Sequence, residues 1–145
     1  MMKKFFILLC ITIVVFPLYA QKQGIKGKVE WVSGNQMPGP GKKETQAPGI
    51  KREIYIYEAT ALKQVTQKDG VFFSNITTKF IAKTHSKDDG SFCVKLPPGE
   101  YSVFIKETRG LFANRFDVNS RIQCIAVKQG EFLPLTIQVN YEASY

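Results

Sequence analysis

The sequence predicts an all-β protein, a seven-stranded antiparallel β-sandwich, and three observations carry that expectation. Short runs alternate apolar and polar residues with a period of two, the pattern of a strand with one buried face. Turn residues punctuate those runs, among them Asp88-Asp89-Gly90, Pro97-Pro98-Gly99-Glu100 and Gly130. No stretch after residue 20 sustains the 3.6-residue period of a long amphipathic helix. A chain of 145 residues with 44% hydrophobic content has room for one packed domain behind a short leader.

Residues 1–20 read as a secretory signal peptide. Lys3-Lys4 is a positive n-region and Phe5 to Phe16 an apolar stretch broken only by Cys10 and Thr12. Pro17-Leu18-Tyr19-Ala20 then ends a helix on a small residue. That apolar stretch of about 12 residues falls short of the roughly 20 that span a bilayer, so a leader is favoured over an anchor and no transmembrane helix is expected in the mature chain. Cys10 follows Ile7-Leu8-Leu9 rather than small residues, which argues against lipidation. The mature chain, 21–145, is expected to be a single domain, secreted or periplasmic, in the cell envelope. Removing Lys3 and Lys4 lowers the formal charge from +8 to +6. The remaining cations are scattered singly or in pairs such as Lys42-Lys43 and Lys51-Arg52, without the continuous stripe that nucleic acid would call for.

In order along the mature chain, Ile25, Gly27, Val29 and Trp31 alternate with Lys26, Lys28 and Glu30 as strand one. Residues 33–49, centred on Met37-Pro38-Gly39-Pro40-Gly41, lose all periodicity and predict a long exposed loop, a place to look for binding. Glu53 to Thr60 is strand two, with isoleucines on one face and Tyr55 and Tyr57 on the other, expected to lie under a neighbouring loop rather than to form an aromatic patch. Residues 61–76 are not strand-like: Leu62 and Val65 support a helical turn, Asp69-Gly70 closes it, and Val71-Phe72-Phe73 forms an apolar plug. Strand three, Thr78 to His85, sets Phe80, Ala82 and Thr84 on one side and Lys79, Ile81, Lys83 and His85 on the other. Phe92/Val94/Leu96 and Tyr101/Val103/Ile105 flank the Pro97-Pro98-Gly99-Glu100 turn as a β-hairpin, strands four and five. Leu111 to Asp117 is an aromatic loop or short strand, Ile122 to Val127 strand six, and Leu133 to Tyr141 strand seven, with Pro134 near its start.

Groups that could do chemistry are sparse. The one histidine, His85, adjoins Ser86, but neighbours on a strand face opposite ways and cannot act as base and nucleophile. Asp88, Asp89 and Asp69 offer oxygen ligands, yet calcium takes about 6–8 of them, and Asp-Asp-Gly is a common turn. No cofactor or metal is expected. Cys93 and Cys124 are the cysteines left after the leader; an oxidising compartment permits a disulfide between them, and two independent thiols is the other reading. Phe72, Phe73, Leu111, Phe112 and Asn114, on aromatic segments, are the candidate partner contacts, although such residues also plug the open end of a sandwich.

Three segments together resemble a known family. Gly24-Ile25-Lys26-Gly27-Lys28-Val29, then Thr84 to Asp89 leading into Gly90-Ser91-Phe92, then Leu96-Pro97-Pro98-Gly99-Glu100-Tyr101-Ser102-Val103, resemble the carboxypeptidase regulatory-like domain over most of residues 24–141. The Asp-Gly-x-Phe and Leu-Pro-Pro-Gly-x-Tyr pair is the most specific part. The chain looks like the small stand-alone secreted members common in Bacteroidetes, in which Arg52 to Glu58 and Leu111 to Asp117 also have counterparts. The long 33–49 loop and the 61–76 insertion depart from the simpler pattern. The resemblance implies a transthyretin-like (prealbumin-like) fold and a non-catalytic accessory or binding role. Hydroxyisourate hydrolases, the enzyme branch of that fold, resemble one another in several histidines, an arginine and a Tyr-Arg-Gly-Ser end; this chain has one histidine and ends Asn140-Tyr141-Glu142-Ala143-Ser144-Tyr145. The expected function is therefore binding of a protein or glycan partner, or stabilisation of an envelope assembly. The alternative is a small secreted hydrolase acting around His85 and Asp88.

Overall fold

The computed structural model describes residues 22–43 and 46–145; the expected leader, residues 1–20, lies outside them. Among the described residues no helix is long and apolar enough to cross a membrane. The chain is nearly all β and folds into two sheets. The smaller contains β1 (Gly24–Asn35), β6 (Ser91–Lys95) and β10 (Phe132–Ser144), in the order β10-β1-β6. The larger contains β2 (Glu53–Glu58), β3 (Thr66–Lys68), β4 (Phe72–Ser74), β5 (Phe80–His85), β7 (Gly99–Glu107), β8 (Gly110–Phe112) and β9 (Cys124–Val127). Its order is β3-β4-β8-β7-β2-β5, and β9 also pairs with β7.

The described residues form ten strands rather than the expected seven, because the segment 61–76 supplies β3 and β4 and Gly110–Phe112 supplies β8. Leu62–Gln64 makes the predicted single turn, as a 3-10 helix. The chain then enters β3 and returns as β4 around Asp69 and Gly70, both at positive φ, which suits the Asp-Gly preference of tight hairpin turns. Short polar runs such as Thr66-Gln67-Lys68 carry no buried alternation, so period alone does not find them. The smaller sheet also departs from the antiparallel expectation. β1 and β10 run parallel, from Gly24 opposite Phe132 to Trp31 opposite Val139, with a register shift beyond Trp31.

A larger correction concerns the expected hairpin. β6 pairs with β1, and β7 pairs with β2, β8 and β9, so the two strands lie in different sheets. Leu96-Pro97-Pro98 carries the chain across the core. Alternation reports which face is buried, not which strand is the neighbour, and Phe92 and Leu96 meet Tyr101, Val103 and Ile105 in one core from opposite walls. Two prolines in succession remove the donors a ladder would need at the crossing. The Tyr101 hydroxyl donates to the Pro97 carbonyl at 2.6 Å and holds the bend. Gly99 lies outside the left-handed region, and a Cβ there would stand 3.3 Å from the Tyr101 hydroxyl. Gly90 is the constrained position instead: its φ is 86°, and a Cβ would overlap the Val29 carbonyl and stand 2.7 Å from Gly49 Cα.

β7 is buried on both faces and separates two cores. Tyr101, Val103 and Ile105 point between the sheets, where Ile25, Val29, Ile54, Ile56, Phe72, Phe112, Ile137 and Val139 pack with them. Phe104 points outward into a second core with Phe73, Ala113 and Ile122, under Leu62, Val65, Ile76 and Leu111. The insertion and the 113–122 loop therefore form a lid over part of the larger sheet's outer face. At one end of the main core Arg52 Nε meets Glu107 Oε1 at 2.7 Å, and the Tyr141 hydroxyl donates to Glu107 Oε2 at 2.8 Å. A carboxylate only 4% exposed is stable there because both oxygens are satisfied. Trp31 stands edge-on to Tyr141, ring centroids 5.4 Å apart.

Candidate functional site

Where that lid ends, the outer face of the larger sheet is open. On β2 the residues Glu53, Tyr55 and Tyr57 point outward because Ile54 and Ile56 fill the main core. Their cross-strand partners on the edge strand β5 are His85, Lys83 and Phe80. Simple alternation would set Phe80 on the face opposite Lys83. A bulge corrects that, since one step on β2 (Ile56 to Tyr57) spans two on β5 (Ala82 to Phe80). Ile81 and Ala82 both pack toward the main core, and Phe80 turns out beside the tyrosines.

The resulting strip is aromatic at one end and charged at the other. Phe80 lies 6.0 Å from Tyr55 and 5.4 Å from Tyr57, ring centroid to centroid, while Tyr57 packs edge-on against the buried Phe104 at 5.7 Å. Both tyrosines are half-buried; Phe80 is 47% exposed. Lys83 Nζ sits 5.4 Å above the Tyr55 ring and 3.1 Å from Glu53, which also accepts from the Tyr55 hydroxyl at 3.3 Å. The Lys83 hydrogen bond holds the Glu53 carboxyl below the usual carboxylate range, and Glu53 in turn raises Lys83. Burial pushes Tyr57 up. Next to the pair a shallow cleft of about 450 Å³ is lined by Lys51, Glu53, Lys83, Thr84 and His85.

The residues singled out from the sequence as partner contacts fall elsewhere. Phe72, Phe73 and Phe112 are 1%, 2% and 0% exposed. As adjacent residues of β4, Phe72 enters the main core and Phe73 the outer one, so the expected plug is core on both sides and offers no contact surface. Leu111 is half-buried against the outer core. Asn114 fixes its loop to β10, donating to Asn140 Oδ1 at 2.8 Å and to the Gln138 carbonyl at 3.2 Å. Cys93, on β6, and Cys124, on β9, are both free and lie in different sheets, the arrangement of the two-thiol reading rather than of the bridge. Burial pushes the Cys124 thiol up.

His85 and Ser86 diverge, as strand neighbours do. His85 is exposed at the cleft, whereas Ser86 is fully buried, donating to the Ile50 carbonyl at 2.7 Å and accepting from the Arg52 amide at 2.8 Å. Asp89 closes its turn by accepting from the Ser91 amide at 2.9 Å and hydroxyl at 2.6 Å, bonds that hold its carboxyl below the usual range. Among the described residues no group of three or more His, Cys, Asp or Glu could hold a metal ion. The 33–49 loop, after β1 ends at Asn35, borders a second hollow of about 650 Å³ whose walls include Met37, Lys42, Glu30, Gln138 and Tyr145. Among the described residues its walls hold no aromatic cluster comparable to the β2–β5 strip.

Fold and strip together define a small two-sheet β protein with an open aromatic and basic edge. No protein-family model matches the chain, and neither does any curated protein or solved structure.

Proposed function

We propose that the chain is a non-catalytic module of the carboxypeptidase regulatory-like kind, transthyretin-like in fold and exported to the periplasm or cell surface. There it binds a protein or glycan partner, or stabilises an envelope assembly, through the outer strip of β2 and β5. One observation carries the reading. Phe80, half-exposed, is held by a bulge beside Tyr55, Tyr57 and Lys83 on a sheet whose outer face the lid covers only in part. Rigid strands hold contact residues more firmly than loops do. The commitment of the Ser86 hydroxyl to two backbone groups favours binding over hydrolysis at His85.

The test uses immobilised residues 21–145 and the double variant Phe80→Ser/Lys83→Glu, both shown folded by circular dichroism. The expected result is a component of the cell-envelope fraction retained by the first and lost by the second. Equal retention by the two, or retention by neither, dismisses this role for the strip.

A further inference from the structure

We infer that the ligand of this strip is an acidic polysaccharide, a chain of uronate-type sugars; the inference rests on the binding role proposed above. Charge is the first argument. On the outer face Glu53 is matched by Lys83 at 3.1 Å, and among the described residues neither Lys51 nor Lys106 takes part in an ion pair, so cations outnumber acids at this end of the strip. Lys106 alternates with the inward Ile105 and Glu107 on β7, so it faces out next to Glu53, whose carboxyl feels its charge. With His85 at the cleft, the charged end of the strip complements carboxylates, which lysines bind through charge-assisted hydrogen bonds.

The shape of the aromatic end is the second argument. A protein interface of ordinary size covers about 800 Å² per partner and centres on aromatic anchors sunk into pockets. Here the one widely open ring of the strip is Phe80, on a flat sheet beside a shallow cleft. A sugar ring needs only such a platform for its C–H face, with polar groups at the rim for its hydroxyls. The Tyr55 hydroxyl, which donates to Glu53 at 3.3 Å, can still accept there from a sugar hydroxyl. A polymer laid along the strip meets Phe80 with one residue and the lysines with the next, without needing a deep pocket.

The experiment is titration calorimetry of residues 21–145 with oligogalacturonate, with a neutral malto-oligosaccharide and polyglutamate as controls. Oligogalacturonate should bind, more weakly as salt is added, and Phe80→Ala and Lys106→Ala should each weaken it about tenfold while the protein stays folded. Polyglutamate binding as tightly overturns the inference, because charge or an acidic peptide then suffices. Equal binding of the neutral oligosaccharide, or an unaffected Phe80→Ala variant, overturns it as well. If oligogalacturonate fails while Phe80→Ser/Lys83→Glu still loses envelope retention, the polysaccharide is wrong and the binding role stands. If retention is also unchanged, both are wrong.

Discussion

Phe72, Phe73 and Phe112 on one hand, and Tyr55, Tyr57 and Phe80 on the other, belong to the same sheet and have similar side chains, yet the first three are closed and the second group is partly open. What differs is the chain above and below them. The 3-10 turn at Leu62–Gln64, with Val65, Ile76 and Ile122, covers Phe73 and Phe104 on the outer face, and the smaller sheet covers Phe72 and Phe112 on the inner. The lid stops short of β5. An aromatic residue becomes core or contact according to what returns over it, and residues distant in the chain decide that.

Truncation separates the two groups most strongly. Phe112→Ala should destabilise by about 3–5 kcal/mol in urea unfolding, since it empties a fully buried site; a loss under ~1 kcal/mol would mean the covered half is not core. The crossing and the turn differ in the same way. Gly90→Ala should cost about 1–3 kcal/mol through its left-handed backbone, and more as the Val29 carbonyl is displaced. Gly99→Ala should cost less than ~1 kcal/mol, because its φ suits any residue.

Alkaline pH probes the covered end. Tyr141 packs on Phe72 and Phe112, and burial together with its hydrogen bond to Glu107 pushes it up to about 12. The folded state therefore keeps this proton longer than the unfolded chain does. Stability from Tyr141 is fully present below about pH 10, the ordinary tyrosine value, and is lost as pH rises toward 12. Thermal melts across that range should fall, and Tyr141→Phe should remove the largest part of the fall. The open strip gives the smallest stability effect. Phe80→Ala should stay within about 0.5 kcal/mol of the parent, as an exposed position does, while losing ligand. A large destabilisation there would make Phe80 a covering residue and not a contact.

The strands with one buried face were legible because Ile25/Val29, Ile54/Ile56 and Leu135/Ile137/Val139 keep a strict period of two. Partnership was not. Leu96-Pro97-Pro98-Gly99 has the composition of a hairpin turn, and only the packing of Phe92 and Leu96 against Tyr101 and Val103 reveals an arch between sheets. The strip was half visible. Tyr55 and Tyr57 share a face by alternation, but the extra residue Ile81, which brings Phe80 to them, has no signature in local sequence. Cys93 and Cys124 illustrate the same limit, since residue type permits a bridge and topology sets them apart.

The parallel contact of β1 with β10 has a consequence for the order of folding. Its partners are about a hundred residues apart in the chain, so this pairing carries a high loop-closure entropy and should be slow. A chain shortened before Phe132 would leave β1 with β6 alone, and Ile25 and Val29 would lose the neighbours that Leu135, Ile137 and Val139 provide. The smaller sheet is thus complete only when the last strand has arrived, which makes the C-terminal strand the clasp of the whole molecule.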